Sequence, residues 1–231
     1  MLFLLKHSGG ACEEIPLVSC RISTGVPGAK STKHNECCVI IDVLRASSTI
    51  VTALANGVQE ILAVSSIDDA LKLKKKRYTT IGERKGFKVP GFDLGNSPVE
   101  LLHTIRNHPI KKIVLTTSNL TRVMAHLNTA YICSSLNLTA ISEVVEGQNV
   151  NIVAAGGVHG LVEDLGVALA LMVRLKGIKL QKGLIQKTIS HSYAARYLSD
   201  IGYGDDVKFI THIDKYRIVP LYKKGVITKY T

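Results

Sequence analysis

Cys38-Val39-Ile40-Ile41-Asp42 is a short unbroken apolar run that ends on a carboxylate. A run of this kind suits a strand buried on both faces, where every side chain meets apolar neighbours. Just downstream, residues 45–56 place Ile50, Ala53 and Leu54 at helical spacing and stop at Asn56-Gly57, a left-handed helix end. Residues 59–64 read as a strand, 67–76 as a helix with Asp68 and Asp69 in its first turn, and 78–82 as another strand. Ser97, Pro98 and Glu100 supply an N-cap, a first-position proline and a capping-box acid for a helix to about residue 107. Residues 111–117, 129–133 and 150–155 read as strands; 121–127, 138–145 and 161–175 read as helices. The alternation predicts an α/β fold, a three-layer α/β/α sandwich around a mostly parallel or mixed sheet.

Away from that centre the signal thins. Residues 1–36 are punctuated by glycine and suggest an irregular lead-in with one or two edge strands. Residues 178–231 hold a helix near 191–198 and a closing segment at 209–221, and are expected to complete the same unit. The expectation is one domain over residues 1–231, since α/β proteins of this size often form a single unit.

The chain is 46% apolar and 20% charged, a balance that excludes wholesale disorder. Its formal charge of +11 would draw phosphates, sulfonates, nucleic acid or an anionic surface. The absence of Trp and the presence of just four Phe argue against a single-strand nucleic-acid module, which interleaves aromatics with cations. The basic run at Lys72, Lys74, Lys75, Lys76 and Arg77 reads as a solvated helix end. Five cysteines without a Cys-x-x-Cys pair point to reduced thiols, and hence to a cytoplasmic location. The apolar start at residues 1–5 is too short for a signal-peptide core, and no run reaches membrane length, so no membrane partner is expected.

Ligands of open α/β sheets collect beyond the carboxyl ends of strands, where helix N-termini favour anions. Polar clusters recur there: Asp42 and Arg45; Glu83, Arg84 and Lys85; residues 116–122; and residues 156–164. Asp42 is costly after four apolar residues unless it is paired, either as a helix cap or with a metal or phosphate partner. Glu163 and Asp164 serve either the dipole of the helix they open or, with Asp42, a Mg²⁺ ion, which takes one or two carboxylates plus water and phosphate. Missing zincin spacing and missing thiolate clusters disfavour zinc. Thr117, Ser118, Asn119 and Thr121 offer hydroxyl and amide groups to oxyanions, or simply cap the next helix. Arg45, Arg84 and Arg122 are permanently charged forks at comparable loop positions. Gly156 and Gly157 would let backbone approach a ligand, and His159 could protonate a leaving alkoxide or merely sit in solvent.

Taken in order, Ile41-Asp-Val-Leu-Arg-Ala-Ser-Ser-Thr49, Gly82-Glu-Arg-Lys-Gly86, Gly91-Phe-Asp-Leu-Gly-Asn-Ser-Pro98, Thr116-Thr-Ser-Asn119 with Thr121-Arg122, and Glu163-Asp164 resemble the 2-phosphosulfolactate phosphatase family. The resemblance covers residues 39–177, and the octet ending at Pro98 is its most specific part. It implies an α/β/α fold, Mg²⁺ dependence, and hydrolysis of (2R)-phospho-3-sulfolactate to (R)-sulfolactate and phosphate in coenzyme M synthesis. It implies metal binding by Asp42, Glu163 and Asp164, with Asp93 in reserve, and anion binding by Arg45, Arg84, Asn96, Ser97, Asn119, Thr121 and Arg122. Attack by water and a phospho-Asp42 intermediate both fit. The partner is then a small phosphorylated and sulfonated acid, and a homo-oligomer is compatible with the chain. Two alternatives stand beside this: a phosphatase for another small phosphorylated hydroxy acid, and a non-catalytic anion- or nucleic-acid-binding protein. The chain departs from the family at Leu120, where glycine is expected, and at Leu165-Gly166-Val167, which puts the shape of the anion pocket in question.

Overall fold

The computed structural model describes residues 18–157 and 160–231. The chain runs through β1 (Cys20–Thr24), α1 (Gly25–Lys30), β2 (Cys37–Ile41), α2 (Ala46–Ala55), β3 (Glu60–Ala63), α3 (Ile67–Lys74), β4 (Thr79–Arg84) and β5 (Phe87–Lys88). There follow α4 (Pro98–Asn107), β6 (Lys112–Thr116), α5 (Leu120–Met124), β7 (Thr129–Cys133), α6 (Leu138–Val144), β8 (Val150–Ala154) and α7 (Val162–Leu175). Helices α8 (Lys182–Ser190), α9 (Tyr193–Asp200) and α10 (Gly204–Ile210) precede a hairpin of β9 (Pro220–Lys223) and β10 (Val226–Lys229). The α4 start has the expected N-cap and proline, Ser97 Oγ accepting from the Glu100 amide at 3.0 Å with Pro98 at the helix start, but the capping box is open: the Glu100 carboxylate accepts from the Gly95 amide at 3.0 Å instead of the Ser97 amide.

One ten-stranded sheet has the order β1-β8-β2-β7-β9-β10-β3-β6-β4-β5. It is mixed. A parallel wing β1-β8-β2-β7 and a parallel wing β3-β6-β4 are joined through the antiparallel pair β9-β10. The tail therefore does more than finish the chain: β9 pairs with β7 and β10 with β3, at the centre of the sheet. Lys224 (φ 48°) and Gly225 (φ 90°) make its two-residue reversal, the left-handed pair that a tight hairpin needs.

Alternation along the strands divides the core. Ile40 and Ile132 from one wing and Ile61, Ile81, Ile113 and Leu115 from the other share a single cluster with residues of α2, α4 and α5. Their neighbours Val39, Ile41 and Ile152 face the opposite side and pack on α6, α7 and α8. The outer face of the second wing, including Val114, is covered by Ala70 and Leu71 of α3. Helices thus cover both faces of the strands, and one apolar cluster is shared by both wings. The loops that follow β2 and β8 meet those that follow β4 and β6 around a single cavity.

Candidate active site

Asp42 leaves the end of β2 and is 7% exposed. Its carboxylate accepts from the Ala46 amide at 3.2 Å, so it does cap the first turn of α2. Burial pushes its carboxyl up to about 7, aided by the charges of Glu83 and Glu163 and opposed by the amides of Ala46 and Leu120. Asp164, 2% exposed in the first turn of α7, accepts from the Val43 amide at 2.7 Å and the Gly156 amide at 3.0 Å. It thereby ties the loops after β2 and β8 together. Burial, then Asp42 and Glu163, raise its carboxyl well above the ordinary range. Glu163 is raised by burial as well, and its Oε2 is buried without a hydrogen-bond partner.

Glu83 supplies the opposite wall from the end of β4. It accepts from the Gly86 amide at 2.9 Å, the Ser118 amide at 2.7 Å and the Ser118 hydroxyl at 3.1 Å, locking the β4–β5 turn to the loop before α5. The loops after β6 and β8 meet so closely that a Cβ on Gly157 would lie 2.5 Å from Asn119 Nδ2. A side chain at this position would have to displace the Asn119 amide. These walls enclose a cavity of about 130 Å³ with Asn96 and Arg45 in its lining and Ala194, Tyr197 and Leu198 of α9 on the far side. That is room for a small anion rather than a large cofactor.

Arg45 is 3% exposed and heavily engaged. Its Nη1 donates to Asp206 of α10 at 2.9 Å, its Nη2 to the Gly86 carbonyl at 2.5 Å, and its guanidinium lies 4.0 Å from the centre of the Tyr203 ring. Asp206 also accepts from the Ser97 hydroxyl at 2.6 Å and the Val99 amide at 3.2 Å. Ser97 is thus a helix cap and a support for Asp206, outside the cavity lining. Arg84 donates to the Glu83 carbonyl at 2.7 Å and to Thr116 Oγ1 at 3.0 Å, and Arg122 is exposed on α5; neither lines the cavity. Of the three arginines that the sequence suggested for an anion site, Arg45 alone lines the cavity.

Thr117 and Thr121 bond reciprocally, Thr117 N to Thr121 Oγ1 at 3.2 Å and Thr121 N to Thr117 Oγ1 at 3.3 Å, and shape the loop from behind. Asp93 lies elsewhere, paired to Lys74 at 2.6 Å and bonded to Thr80. His159 falls outside the described residues. Leu120 does not narrow the pocket. Its side chain is fully buried in the central core, and its amide still reaches Asp42. Lys85 entered the sequence reading only as a member of the Glu83-Arg84-Lys85 cluster, and Tyr197, Tyr203 and Asp206 were not singled out.

Asp42, Glu83, Glu163 and Asp164 all face this cavity. Four carboxylates converge here, Glu163 carries an unpaired buried oxygen, and the charge of their neighbours adds to burial in raising Asp42 and Asp164; a divalent cation would relieve that crowding. Among the described residues no group of three or more carboxylate, imidazole or thiolate side chains is placed to hold a metal ion by itself, so an ion here would rest on one or two carboxylates with water and a ligand completing its shell.

The family model described as 2-phosphosulpholactate phosphatase matches residues 24–225. The chain is 36% identical over 214 residues to a probable 2-phosphosulfolactate phosphatase of Pseudothermotoga lettingae, covering 85% of this chain and 93% of that one. It is 38% identical over 207 residues to a probable 2-phosphosulfolactate phosphatase of Thermotoga petrophila, covering 81% and 89% respectively. It is 32% identical over 206 residues to the 2-phosphosulfolactate phosphatase of Methanothermobacter thermautotrophicus, covering 82% and 88%.

Proposed function

The chain belongs to the 2-phosphosulfolactate phosphatase family, and on that premise we propose that it is a Mg²⁺-dependent phosphoric monoester hydrolase that converts 2-phosphosulfolactate to sulfolactate and phosphate. The observation that carries the reading is the carboxylate-lined cavity with the unpaired Glu163 Oε2. Asp42 and Glu163 would hold the ion, with Asp164 fixing the two loops from which they come. When bound, Mg²⁺ would offset the charge of the phosphate and make a neighbouring water easier to deprotonate.

The chain's own residues account for binding and order. Arg45 has five N–H donors and gives one each to Asp206 and Gly86, so the rest of its fork remains for an oxyanion. Gly156 lends the cavity backbone with no side chain in the way of a phosphate, and Asn119, packed against Gly157, lines it beside Ser118. Water attacks phosphorus opposite the ester oxygen, the P–O bond breaks, and the C2 alkoxide takes up a proton. Burial keeps bulk water from competing with these contacts.

The test is phosphate release from 2-phosphosulfolactate and a panel of phosphorylated hydroxy acids, with Mg²⁺ and with chelator. Asp42→Asn is expected to lower kcat by at least roughly a hundredfold in a folded protein. Independently of turnover, Mg²⁺ at about a hundred times its Kd should stabilise the wild type by about 2.7 kcal/mol in thermal unfolding. Glu163→Gln should abolish most of that gain. Wild-type protein that neither releases phosphate nor responds to Mg²⁺ would sink the reading.

A further inference from the structure

The proposed substrate carries three anionic groups, a phosphate, a carboxylate and a sulfonate. The cavity meets them with an adverse balance: Asp42, Glu83, Glu163 and Asp164 against two cations, Arg45 and Lys85, among the described lining residues. Arg45 is already neutralised by Asp206, both side chains being 2% exposed. A divalent ion would offset the deep carboxylates. It leaves the mouth without a counter-charge except at Lys85.

Lys85 stands at the turn between β4 and β5 with φ 52°, its side chain exposed at the cavity mouth. The backbone around it is pinned from two sides. Glu83 accepts from the Gly86 amide at 2.9 Å, and the Tyr197 hydroxyl donates to the Lys85 carbonyl at 2.9 Å. The ammonium itself has no hydrogen bond or ion pair among the described residues. A firmly held backbone thus presents a point charge that has no partner among the described residues.

We propose that Lys85 is a specificity-determining residue that receives the sulfonate of the substrate, an inference that rests on the phosphatase reading above. The phosphate is drawn to the deep, carboxylate-lined end where the ion would sit, so the groups on the other carbons turn to the mouth. A sulfonate spreads its charge over three oxygens in a tripod. An ammonium with three donors on a flexible stem can follow that shape, whereas a planar guanidinium fork matches a carboxylate. Because Lys85 is exposed, the contact acts chiefly on substrate capture and weakens with salt.

The experiment compares 2-phosphosulfolactate with 2-phospholactate, which lacks only the sulfonate, using Mg²⁺-loaded wild type, Lys85→Gln and Lys85→Arg. Lys85→Gln is expected to lower the ratio of kcat/KM for the sulfonated over the plain substrate roughly tenfold, through KM, and Lys85→Arg, which keeps the charge and changes the donor geometry, to restore only part of it. The wild-type ratio should fall as salt rises, and the Lys85→Gln ratio should stay flat. As a second measurement, sulfolactate should inhibit the wild type more strongly than Lys85→Gln, while lactate inhibits both alike. An unchanged ratio in Lys85→Gln overturns the assignment, and so does an equal loss on both substrates. If wild type prefers the sulfonated compound and Lys85→Gln keeps that preference, the phosphatase reading stands and only Lys85 is wrong. If wild type acts on neither compound, both fall.

Discussion

Glu36 takes both arms of the Arg21 guanidinium, Nε at 2.8 Å and Nη2 at 2.7 Å, and the Lys33 amide at 2.8 Å, joining the edge strand β1 to the entrance of β2. The hydrogen bond from Arg21 is the main reason its carboxyl falls to about 2 from an ordinary 4.5. A depressed carboxylate stabilises the fold above its unfolded pKa, and that stability is lost as pH falls towards the folded one. The window here runs from about 4.5 down to about 2. Arg21 is 34% exposed, so solvent screening holds the contribution to about 1 kcal/mol. Glu36→Gln should therefore cost about that much in urea unfolding at pH 7 and flatten the acid limb between these values. At this scale the sequence was readable where chemistry and position coincide: Asp42, Asn96, Ser118, Asn119, Glu163 and Asp164 all line the cavity. Arg84 and Arg122 lie outside that lining, Arg84 bonded to the Glu83 carbonyl and the Thr116 hydroxyl and Arg122 facing solvent. Leu120 shows the converse, a substitution that looks like a pocket change and is a core change.

Helix α10 is the element the sequence concealed. It buries Val207 and Ile210 as its apolar anchors, and α8 likewise buries Ile185 and Ile189, too few positions for a helical period to stand out. Longer or better-capped elements were legible: the readings at 98–107 and 129–133 coincide with α4 and β7. Yet α10 carries Asp206, which orients Arg45 and receives the Ser97 hydroxyl that caps α4. Asp206→Ala would leave a buried guanidinium without its counter-ion, and removing one partner of such a pair costs about 3–5 kcal/mol. Equilibrium unfolding should show that loss. Asp206→Asn, which keeps the shape and the hydroxyl contact, should fold more stably than the alanine variant while still lowering kcat/KM for phosphate release.

At the scale of the molecule, the strands β2, β3, β4, β6, β7 and β8 were legible from strand and helix alternation, but their order in the two wings and the junction between the wings were not. The partners of β9 and β10 lie far away in sequence, and neither periodicity nor turn chemistry names them. Ile227 pairs with Ile61 across the junction and is fully buried in the cluster that both wings share. Placing a charge there, as Ile227→Asp, should unfold both wings in one transition, because an unpaired buried charge is opposed by the whole core. Hydrogen exchange would show amide protection in β2 and β6 vanishing at the same urea concentration; β2 surviving β6 would mean that the wings are separable.

The same hairpin bears on how a ribosome delivers this chain. Every strand of both wings emerges before the pair that joins them, so β7 and β3 must wait with their inner edges unpaired. Open strand edges beside an unfinished apolar core are where nascent chains adhere to one another. For this protein the middle of the sheet is the last part to be made, and slow synthesis through the segment that precedes β9 prolongs the interval in which a chaperone has something to hold.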